Sequence, residues 1–276
     1  MKQPTEGVEP QSRPGGSSRL AANKAEFVQR LVKNGMSLRK VAKQTGISYT
    51  TAHRCASQFS KKQSSIDFDF LSEREIGYIV GFFVGDGSRV CDKRTGHYGA
   101  QFGLDARRDS EITSFLRKLF EKSGKRVTLY SEGNWLVMRV YSKKFLTFLE
   151  RFVSYEDIGG QTKKVLTRPF DWSCDFSFGF LGGLIDADGH VYRNKRRSGH
   201  FGADITTVNT RLVGQLVDLF SRMGLKPKVV KAHPSSTSLS KKATYYVRLN
   251  KSEFSKVCGE LICVKHDRCG CDAKRF

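Results

Sequence analysis

The sequence predicts an α+β protein built from two pseudo-symmetric αββαββα halves, with a small three-helix domain at its N-terminus. Three observations predict this fold: an internal repeat, a stripe of small residues in two apolar segments, and a basic helical region before the repeat. A chain of 276 residues, 38% of them hydrophobic, is long enough for two such units. The predicted boundaries are a disordered arm at 1–20, a helical domain at 21–60, a linker at 61–72, halves at 73–173 and 174–262, and a Cys-rich basic tail at 263–276.

The internal repeat consists of four segments that recur in the same order. They pair EIGYIVGFFVGDGS (75–88) with SFGFLGGLIDADGH (177–190), GHYGA (96–100) with GHFGA (199–203), FLRKLFEKSGKRV (115–127) with QLVDLFSRMGLKP (215–227), and LVMRVYSKKF (136–145) with YYVRLNKSEF (245–254). Between them lie strand-like segments with Gly-containing turns. Each half is therefore predicted to run helix, hairpin, helix, hairpin, helix.

The first repeated segment carries small residues at every fourth position, which places them in one stripe along a helix. A stripe of Gly and Ala lets two helix backbones approach closely. We therefore expect the two helices to pack against each other about a pseudo-twofold axis. The stripe residues are Gly77, Gly81 and Gly85 in the first copy, and Gly179, Gly183 and Ala187 in the second.

Each of these helices ends in Asp-Gly, with Asp86 in the first copy and Asp188 in the second. The Gly is expected to stop the helix in the left-handed conformation. A carboxylate at a helix C-terminus meets the negative end of the helix dipole, and two adjacent carboxylates repel each other. A hard divalent cation, Mg²⁺ or Mn²⁺, would relieve both penalties, whereas the alternative is a local hydrogen bond of each Asp at its turn.

The composition indicates an acidic polymer as partner. The formal net charge is +21 and the isoelectric point is about 9.8, which favours nucleic acid, here double-stranded DNA. No apolar run is long enough to span a membrane, and the N-terminus has no secretory pattern. Seven cysteines form no disulfide framework. We therefore expect a cytoplasmic, nucleoid-associated or organellar protein that is not secreted.

The predicted strands place side chains alternately on the two faces of a sheet. Two sets of alternating side chains follow the second motif. Because the set that begins with Val191 starts in the core, we expect the other set to face a DNA groove. That second set comprises His190, Tyr192, Asn194 and Arg196. Arg94, Arg107 and Arg108 are the corresponding basic candidates for DNA contact in the first half.

The region before the repeat holds 12 Lys or Arg against three Glu over residues 1–66. Ser37 and Ser48 are predicted to cap two short helices separated by Gly46, after a first helix near 22–33 with Phe27, Leu31 and Val32 on one face. Val41, Ala42 and Ile47 would form the small core. This pattern resembles the helix-turn-helix of site-specific recombinases, in which the second helix enters the major groove. The candidate DNA contacts are Tyr49, Thr50, Thr51 and Arg54, and the alternative is a generic three-helix bundle that packs on a protein.

LGGLIDADG (181–189) closely resembles the motif of the LAGLIDADG homing endonucleases, and IVGFFVGDG (79–87) is similar to a degenerate first copy. The resemblance covers residues 72–262 and implies a monomer whose two saddle-shaped sheets grip a long DNA site. It further implies that Asp86 and Asp188 bind catalytic metal ions, assisted by the carbonyls of Gly85 and Ala187. Metal-activated water would then hydrolyse one phosphodiester in each DNA strand.

Other residues receive roles from the same resemblance. Arg139 and Arg248 are candidate catalytic residues near the scissile phosphates. Asp186 stands where the first copy has Val84, and it is expected to pack or cap rather than to catalyse. The N-terminal domain departs from the minimal family pattern and would lengthen the DNA footprint.

Two alternative functions remain open at this stage. One is a maturase of the same fold that binds intron RNA and assists splicing, and the other is a DNA-binding regulator that has lost catalysis. The acidic residues at both motif ends favour a metal-dependent endonuclease over either. In the C-terminal tail, Cys258, Cys263, His266, Cys269 and Cys271 are too closely and irregularly spaced to predict a zinc site over free thiols.

Overall fold

The structure is a computed structural model that describes residues 16–34, 36–63, 66–92, 96–158, 160–194, 200–233 and 243–261. It divides into two compact units, with the boundary between Ser64 and Ser65. No helix within these described ranges is both long and apolar enough to cross a membrane. The predicted C-terminal tail at 263–276, with Cys263, His266, Cys269 and Cys271, lies outside the described residues, as do Arg94 and Arg196.

In its described residues, the first unit contains three helices: α1 (Gly16–Lys33), α2 (Leu38–Thr45) and α3 (Tyr49–Gln63). The hydroxyl of Ser37 accepts a hydrogen bond from the Lys40 amide, and that of Ser48 accepts one from the Thr51 amide, so both serines cap their helices as predicted. Gly46 ends α2 with a φ of 68°, a left-handed conformation that suits glycine.

The first half of the second unit begins with a helix capped by Ser72 and Glu75, which hydrogen-bond each other's backbone amides. Its elements are α4 (Glu73–Asp86), β1 (Gly87–Asp92), β2 (His97–Asp105), α5 (Ser110–Lys122), β3 (Thr128–Glu132), β4 (Trp135–Tyr141) and α6 (Lys143–Leu149). The αββαββα order predicted for this half is confirmed.

The second half repeats that order after a hairpin that the sequence did not predict. The hairpin is formed by β5 (Val153–Asp157) and β6 (Thr162–Leu166). The second half contains α7 (Cys174–Asp188), β7 (Gly189–Asn194), β8 (His200–Thr207), α8 (Thr210–Arg222), β9 (Lys228–Ala232), β10 (Thr244–Leu249) and α9 (Lys251–Val257).

Both halves build the same antiparallel four-stranded sheet. The strand order is β1-β2-β4-β3 in the first half and β7-β8-β10-β9 in the second. One face of each sheet is buried against helices, through residues such as Phe102, Met138, Ile205 and Val247. The opposite face is therefore available to a large ligand in each half, which agrees with the predicted pseudo-symmetry.

The predicted glycine stripe holds α4 and α7 together at backbone distance. A Cβ atom built on Gly81 would lie 2.0 Å from the carbonyl oxygen of Phe180, and one on Gly183 would lie 2.0 Å from that of Tyr78. Real Cβ atoms do not approach backbone oxygens so closely, and such a contact would force the helices apart. The stripe fixes both the spacing and the register of the pair.

The structure corrects the conformation predicted for the glycines that follow Asp86 and Asp188. Gly87 has a φ of −87° and Gly189 a φ of −94°, so both are extended rather than left-handed. The strand begins directly at each glycine and folds back over the last helical turn. A Cβ on Gly87 would lie 2.5 Å from the Phe83 carbonyl oxygen, which explains why glycine is required there.

The N-terminal boundaries also differ from the prediction. Helix α1 begins at Gly16, inside the arm predicted over 1–20, because the helix-forming residues Leu20, Ala21 and Ala22 extend it backwards. The predicted linker at 61–72 is shorter, since α3 continues to Gln63, and Ile66 and Leu71 are buried in the second unit.

The packing face of α1 differs from the prediction at Phe27. Among the α1 side chains that the structure describes, Val28 is buried, with 1% exposure, and Leu31 and Val32 are half-buried, whereas Phe27 is 49% exposed. Val41 of α2 and Ala52 of α3 are also buried, while Ala42 and Ile47 are half-buried. The buried side chains described in this unit are therefore aliphatic.

We predict that Gly81→Ala lowers the free energy of unfolding by about 1–3 kcal/mol or more, because the new methyl group would overlap the backbone of α7. Gly214→Ala on α8 is the matched control, since a Cβ there meets nothing within 4 Å. The control is expected to gain about 0.5–1 kcal/mol from helix propensity. Urea denaturation measures both values, and equal effects of the two substitutions would contradict the packing assigned to Gly81.

Candidate functional site

Asp86 and Asp188 are the last residues of α4 and α7, and both are exposed at the same end of the helix pair. A Cβ atom built on Gly85 would lie 2.4 Å from the Ala187 Cβ and 3.4 Å from the carboxyl carbon of Asp188. The C-termini of the two helices therefore meet at Gly85. The structure brings together the four residues predicted to bind metal: Gly85, Asp86, Ala187 and Asp188.

Lys164 of β6 reaches the same point and was not identified from the sequence. Its ammonium group donates hydrogen bonds to the carbonyl oxygens of Phe83 at 2.8 Å, Gly85 at 2.9 Å and Gly87 at 2.8 Å. Phe83, which also accepts from the Gly87 amide, and Gly85 lie in the last turn of α4, where several carbonyls lack partners within the helix, and Gly87 begins β1. A cation at this position also interacts favourably with the helix dipole. Lys164 thus relieves part of the electrostatic penalty of the carboxylates at these helix ends, a penalty that the sequence alone led us to expect a metal ion to relieve.

The environment of Lys164 perturbs its ionisation. Burial lowers the pKa of Lys164 to about 8, and the negative charges of Asp188 and Asp86 act in the opposite direction. Both carboxylates are therefore close enough to influence the ammonium group. The result is a largely buried cation that both acidic residues influence.

The β5–β6 hairpin positions Lys164 by contacting both halves. On the first half, the Arg89 guanidinium lies 3.7 Å from the ring centroid of Tyr155. On the second half, the Asn209 side chain donates a hydrogen bond of 2.7 Å to the Lys164 carbonyl, and Gln215 exchanges two hydrogen bonds with the Leu166 backbone. The hairpin therefore connects α8 to β1 and holds its lysine at the point where the halves meet.

The oxygen donors at this site fit a hard divalent cation. Two carboxylates and neighbouring backbone carbonyls are the ligands that Mg²⁺, Mn²⁺ and Ca²⁺ accept. A carbonyl oxygen has two lone pairs, so Gly85 can accept from Lys164 and still face a cation. In the described part of the chain, no group of three or more His, Cys, Asp or Glu side chains is arranged to hold a metal. The site thus suits an ion that keeps several of its water molecules.

Asp186 has a structural position distinct from that of Asp188. Its side chain is buried in α7, with 2% exposure, and accepts a hydrogen bond of 2.8 Å from the Tyr78 hydroxyl of α4. This agrees with the packing role predicted for it. This hydrogen bond joins α4 to α7 and provides the buried carboxylate with a donor. It adds a directional contact to the close packing along the glycine stripe.

The two arginines predicted to be catalytic lie on the open faces of the sheets. Arg139 of β4 donates from Nε to the Gln101 side-chain oxygen at 3.0 Å. Arg248 of β10 donates from Nε and Nη2 to the two carboxylate oxygens of Asp204, at 2.8 and 2.9 Å. This hydrogen bonding raises the pKa of Arg248. Each arginine is therefore held by a side chain of the neighbouring strand.

The remaining predicted DNA contacts occupy three places. Arg107 and Arg108 are exposed in the turn after β2, where their amides donate to the Asp105 carboxylate and lower its pKa. Val191 is buried, and His190 and Tyr192 lie on the other face of β7, together with the backbone position of Asn194. On α3, Tyr49, Thr50 and Arg54 are exposed, whereas Thr51 is half-buried and hydrogen-bonds Ser48 through its hydroxyl.

The sequence did not identify Lys164, Gln101 or Asp204 as residues of the site. Lys164 lies between the two copies of the repeat, so the comparison of the copies gave no signal for it. The sequence does contain a signal for Gln101 and Asp204, because they occupy equivalent places after the GHYGA and GHFGA segments. The repeat marks them as equivalent positions, but their pairing with Arg139 and Arg248 depends on the register between strands.

Comparison with known proteins agrees with the motif. Residues 175–263 match the family described as "LAGLIDADG-like domain". Among curated proteins none matches the chain. Solved structures that are similar include I-DmoI in complex with DNA and Ca (12% identity, 68% of this chain, 90% of that chain, TM-score 0.47). Others are the homing endonuclease I-WcaI bound to its DNA recognition sequence (15%, 75%, 86%, 0.48) and the N-terminal LAGLIDADG domain of DUF199/WhiA (18%, 74%, 87%, 0.41).

We predict that Lys164→Met lowers the free energy of unfolding by about 1–3 kcal/mol, because three carbonyls at the end of α4 lose their common donor. Lys163→Met, which removes the adjacent charge on the same strand, is expected to change stability by less than about 0.5 kcal/mol. Chemical denaturation of both variants tests this. If the Lys163 variant lost as much stability as the Lys164 variant, the role assigned to the three hydrogen bonds would be wrong.

Proposed function

We propose that this chain, whose second half belongs to the LAGLIDADG-like domain family, is a site-specific homing endonuclease that makes double-strand breaks in DNA. The observation that carries the proposal is the pair of exposed carboxylates, Asp86 and Asp188, at the joined ends of two glycine-packed helices. One carboxylate per half matches one phosphodiester per DNA strand.

The charge of the chain and the two open sheet faces support DNA as the substrate. The chain carries a net charge of +21, and each half presents one open sheet face. A two-stranded or larger β surface can enter the major groove, where each base pair exposes a distinct pattern of donors and acceptors. The two related sheets therefore suit two successive half-sites of a long duplex.

In the proposed mechanism, Asp86 and Asp188 hold divalent cations together with the carbonyl oxygens of Gly85 and Ala187. Magnesium is the proposed physiological ion, with manganese as a substitute, and it would activate water and stabilise the leaving oxygen. Lys164 holds the end of α4 through its hydrogen bonds and would add positive charge near a bound phosphate. The glycine stripe keeps the two carboxylates at a fixed separation across the DNA strands.

The acidic residues at both motif ends favour cleavage over the alternatives. A maturase or a regulator has no need for two exposed carboxylates in a basic protein, where they oppose the binding of a polyanion. Their retention is explained if divalent cations bind there. We therefore do not propose a splicing or regulatory role.

We predict that Asp188→Asn lowers the rate of magnesium-dependent double-strand cleavage by at least about 100-fold, while DNA affinity changes by less than about threefold. The substrate is a plasmid library with a long randomised duplex insert, from which cut molecules are recovered and sequenced. Asp175→Asn, at the opposite end of the same helix, is the control and should cleave normally. If the unsubstituted protein cut no sequence with magnesium or manganese, or if Asp188→Asn cut at the normal rate, the proposed activity would be rejected.

We further propose that the three-helix unit is a helix-turn-helix that binds DNA beside the cleaved site. Its basic character and the exposed side chains Tyr49, Thr50 and Arg54 at the start of α3 support this. The added contacts would lengthen the footprint and raise the affinity. We propose that the protein acts as a monomer, since one chain supplies both halves.

We predict that Arg54→Ala weakens binding of the full chain to its long target by about three- to tenfold and shortens the protected region at one end. Arg30→Ala removes the same charge from the exposed surface of α1 and is the control. DNase footprinting and titration measure the two effects. An Arg54 variant with an unchanged footprint and affinity, or an Arg30 variant with the same loss, would contradict the assignment of α3 as the DNA-contacting helix.

A further inference from the structure

Each sheet carries a row of four cross-strand neighbours that begins two residues after the motif aspartate. In the second half this row is His190, Asp204, Arg248 and Lys228, and in the first half it is Ser88, Gln101, Arg139 and Thr128. The residues on either side of Asp204 and Arg248 in sequence are buried in the core. Because side chains alternate along a strand, the row faces the open side of the sheet.

Within the second-half row, Asp204 holds Arg248 in one orientation. The Nε and Nη2 atoms of the guanidinium each donate to one carboxylate oxygen, at 2.8 and 2.9 Å. The Asp204 side chain is 12% exposed and the Arg248 side chain 39%. The Tyr192 ring, 6.0 Å from the guanidinium carbon, lies on the same face. The carboxylate is therefore the more buried member of the pair, and the arginine is the more exposed one.

This side-on pairing leaves a defined edge of the guanidinium directed away from Asp204. That edge carries Nη1 and the second hydrogen of Nη2, which are two parallel donors in one plane. Guanine presents two acceptors, O6 and N7, on its major-groove edge, and a bidentate arginine is the commonest contact to them. Adenine and the pyrimidines present no such pair of acceptors. The donor geometry therefore matches one base.

We propose that Arg248, oriented by Asp204, recognises a guanine in the half-site bound by the second half, and that Asp204 is a positioning residue for this contact. The inference rests on the proposed function, because it names a base within that DNA target. It replaces the catalytic role that the sequence analysis gave to Arg248. An arginine whose charge is balanced by a buried carboxylate gains less from a phosphate than an unpaired cation does.

The equivalent pair in the first half differs in charge. Arg139 donates from Nε to the neutral amide oxygen of Gln101, at 3.0 Å, and its Nη1 lies 3.4 Å from the Tyr141 hydroxyl. Gln101 therefore contacts Arg139 without balancing its charge. Arg139 is consequently the natural control for Arg248, since the two occupy the same place in pseudo-symmetric sheets.

The experiment measures equilibrium binding of the full chain to duplexes that carry each of the four base pairs at every position of the selected site. All proteins carry Asp188→Asn so that binding is not followed by cleavage. The variants are Arg248→Lys, the double change Asp204→Asn with Arg248→Met, and Arg139→Met. The double change is needed because removal of Arg248 alone would leave a buried carboxylate facing the DNA. Arg248→Lys keeps the ion pair and the fold while losing the planar pair of donors.

We expect the parent protein to prefer guanine at one position of that half-site by about ten- to 100-fold. Both Arg248 variants should reduce this preference to about threefold or less at that position alone, and Arg139→Met should leave it intact. Unchanged base preference in both Arg248 variants would overturn the inference. So would a uniform loss of affinity in the double variant, accompanied by a salt-dependence slope lower by about one, which marks a phosphate contact. Failure of the proposed function would be a separate result, because the protein that retains Asp188 would then cut no DNA.

Discussion

The close packing of α4 against α7 is the constraint on which the rest of the second unit depends. Gly81 and Gly183 place backbone against backbone, so the helices can approach in one register and at one distance. That register brings Asp86 and Asp188 to the same end of the helix pair. A side chain at either glycine would separate the carboxylates as well as weaken the core. Stability and the geometry of the candidate site therefore have one physical origin.

The β5–β6 hairpin adds a second connection between the halves, and Lys164 is the residue it delivers. The hairpin contacts α8 through Asn209 and Gln215, and it contacts β1 through the stacking of Arg89 on Tyr155. A lysine on a flexible loop would find the carbonyls at the end of α4 only part of the time. Because the hairpin contacts both halves, the ammonium group is held at these carbonyls without a large loss of side-chain entropy.

The sequence predicted the repeated αββαββα order, the glycine stripe and the two terminal carboxylates, because each follows from a periodic pattern present in both copies. It did not predict the β5–β6 hairpin or Lys164, since a segment that occurs once between the copies has no second copy for comparison. The conformation of Gly87 was also predicted wrongly. A left-handed glycine and a glycine required by close approach to Phe83 look the same in a sequence, and they are distinguished by where the next strand begins. Arg248 shows the same limit, because its pairing with Asp204 depends on register between strands.

The contacts along the stripe involve backbone atoms rather than particular side chains, and this has a consequence for how the protein can change over evolution. An interface of carbonyl oxygens against Cα atoms places almost no demand on sequence beyond small size at a few positions. Each sheet can therefore diverge on its open face while the halves remain joined in the same way. The contrast between Asp204 and Gln101, at equivalent positions, is an example of such divergence. A molecule organised in this way can acquire asymmetric recognition while its symmetric centre stays unchanged.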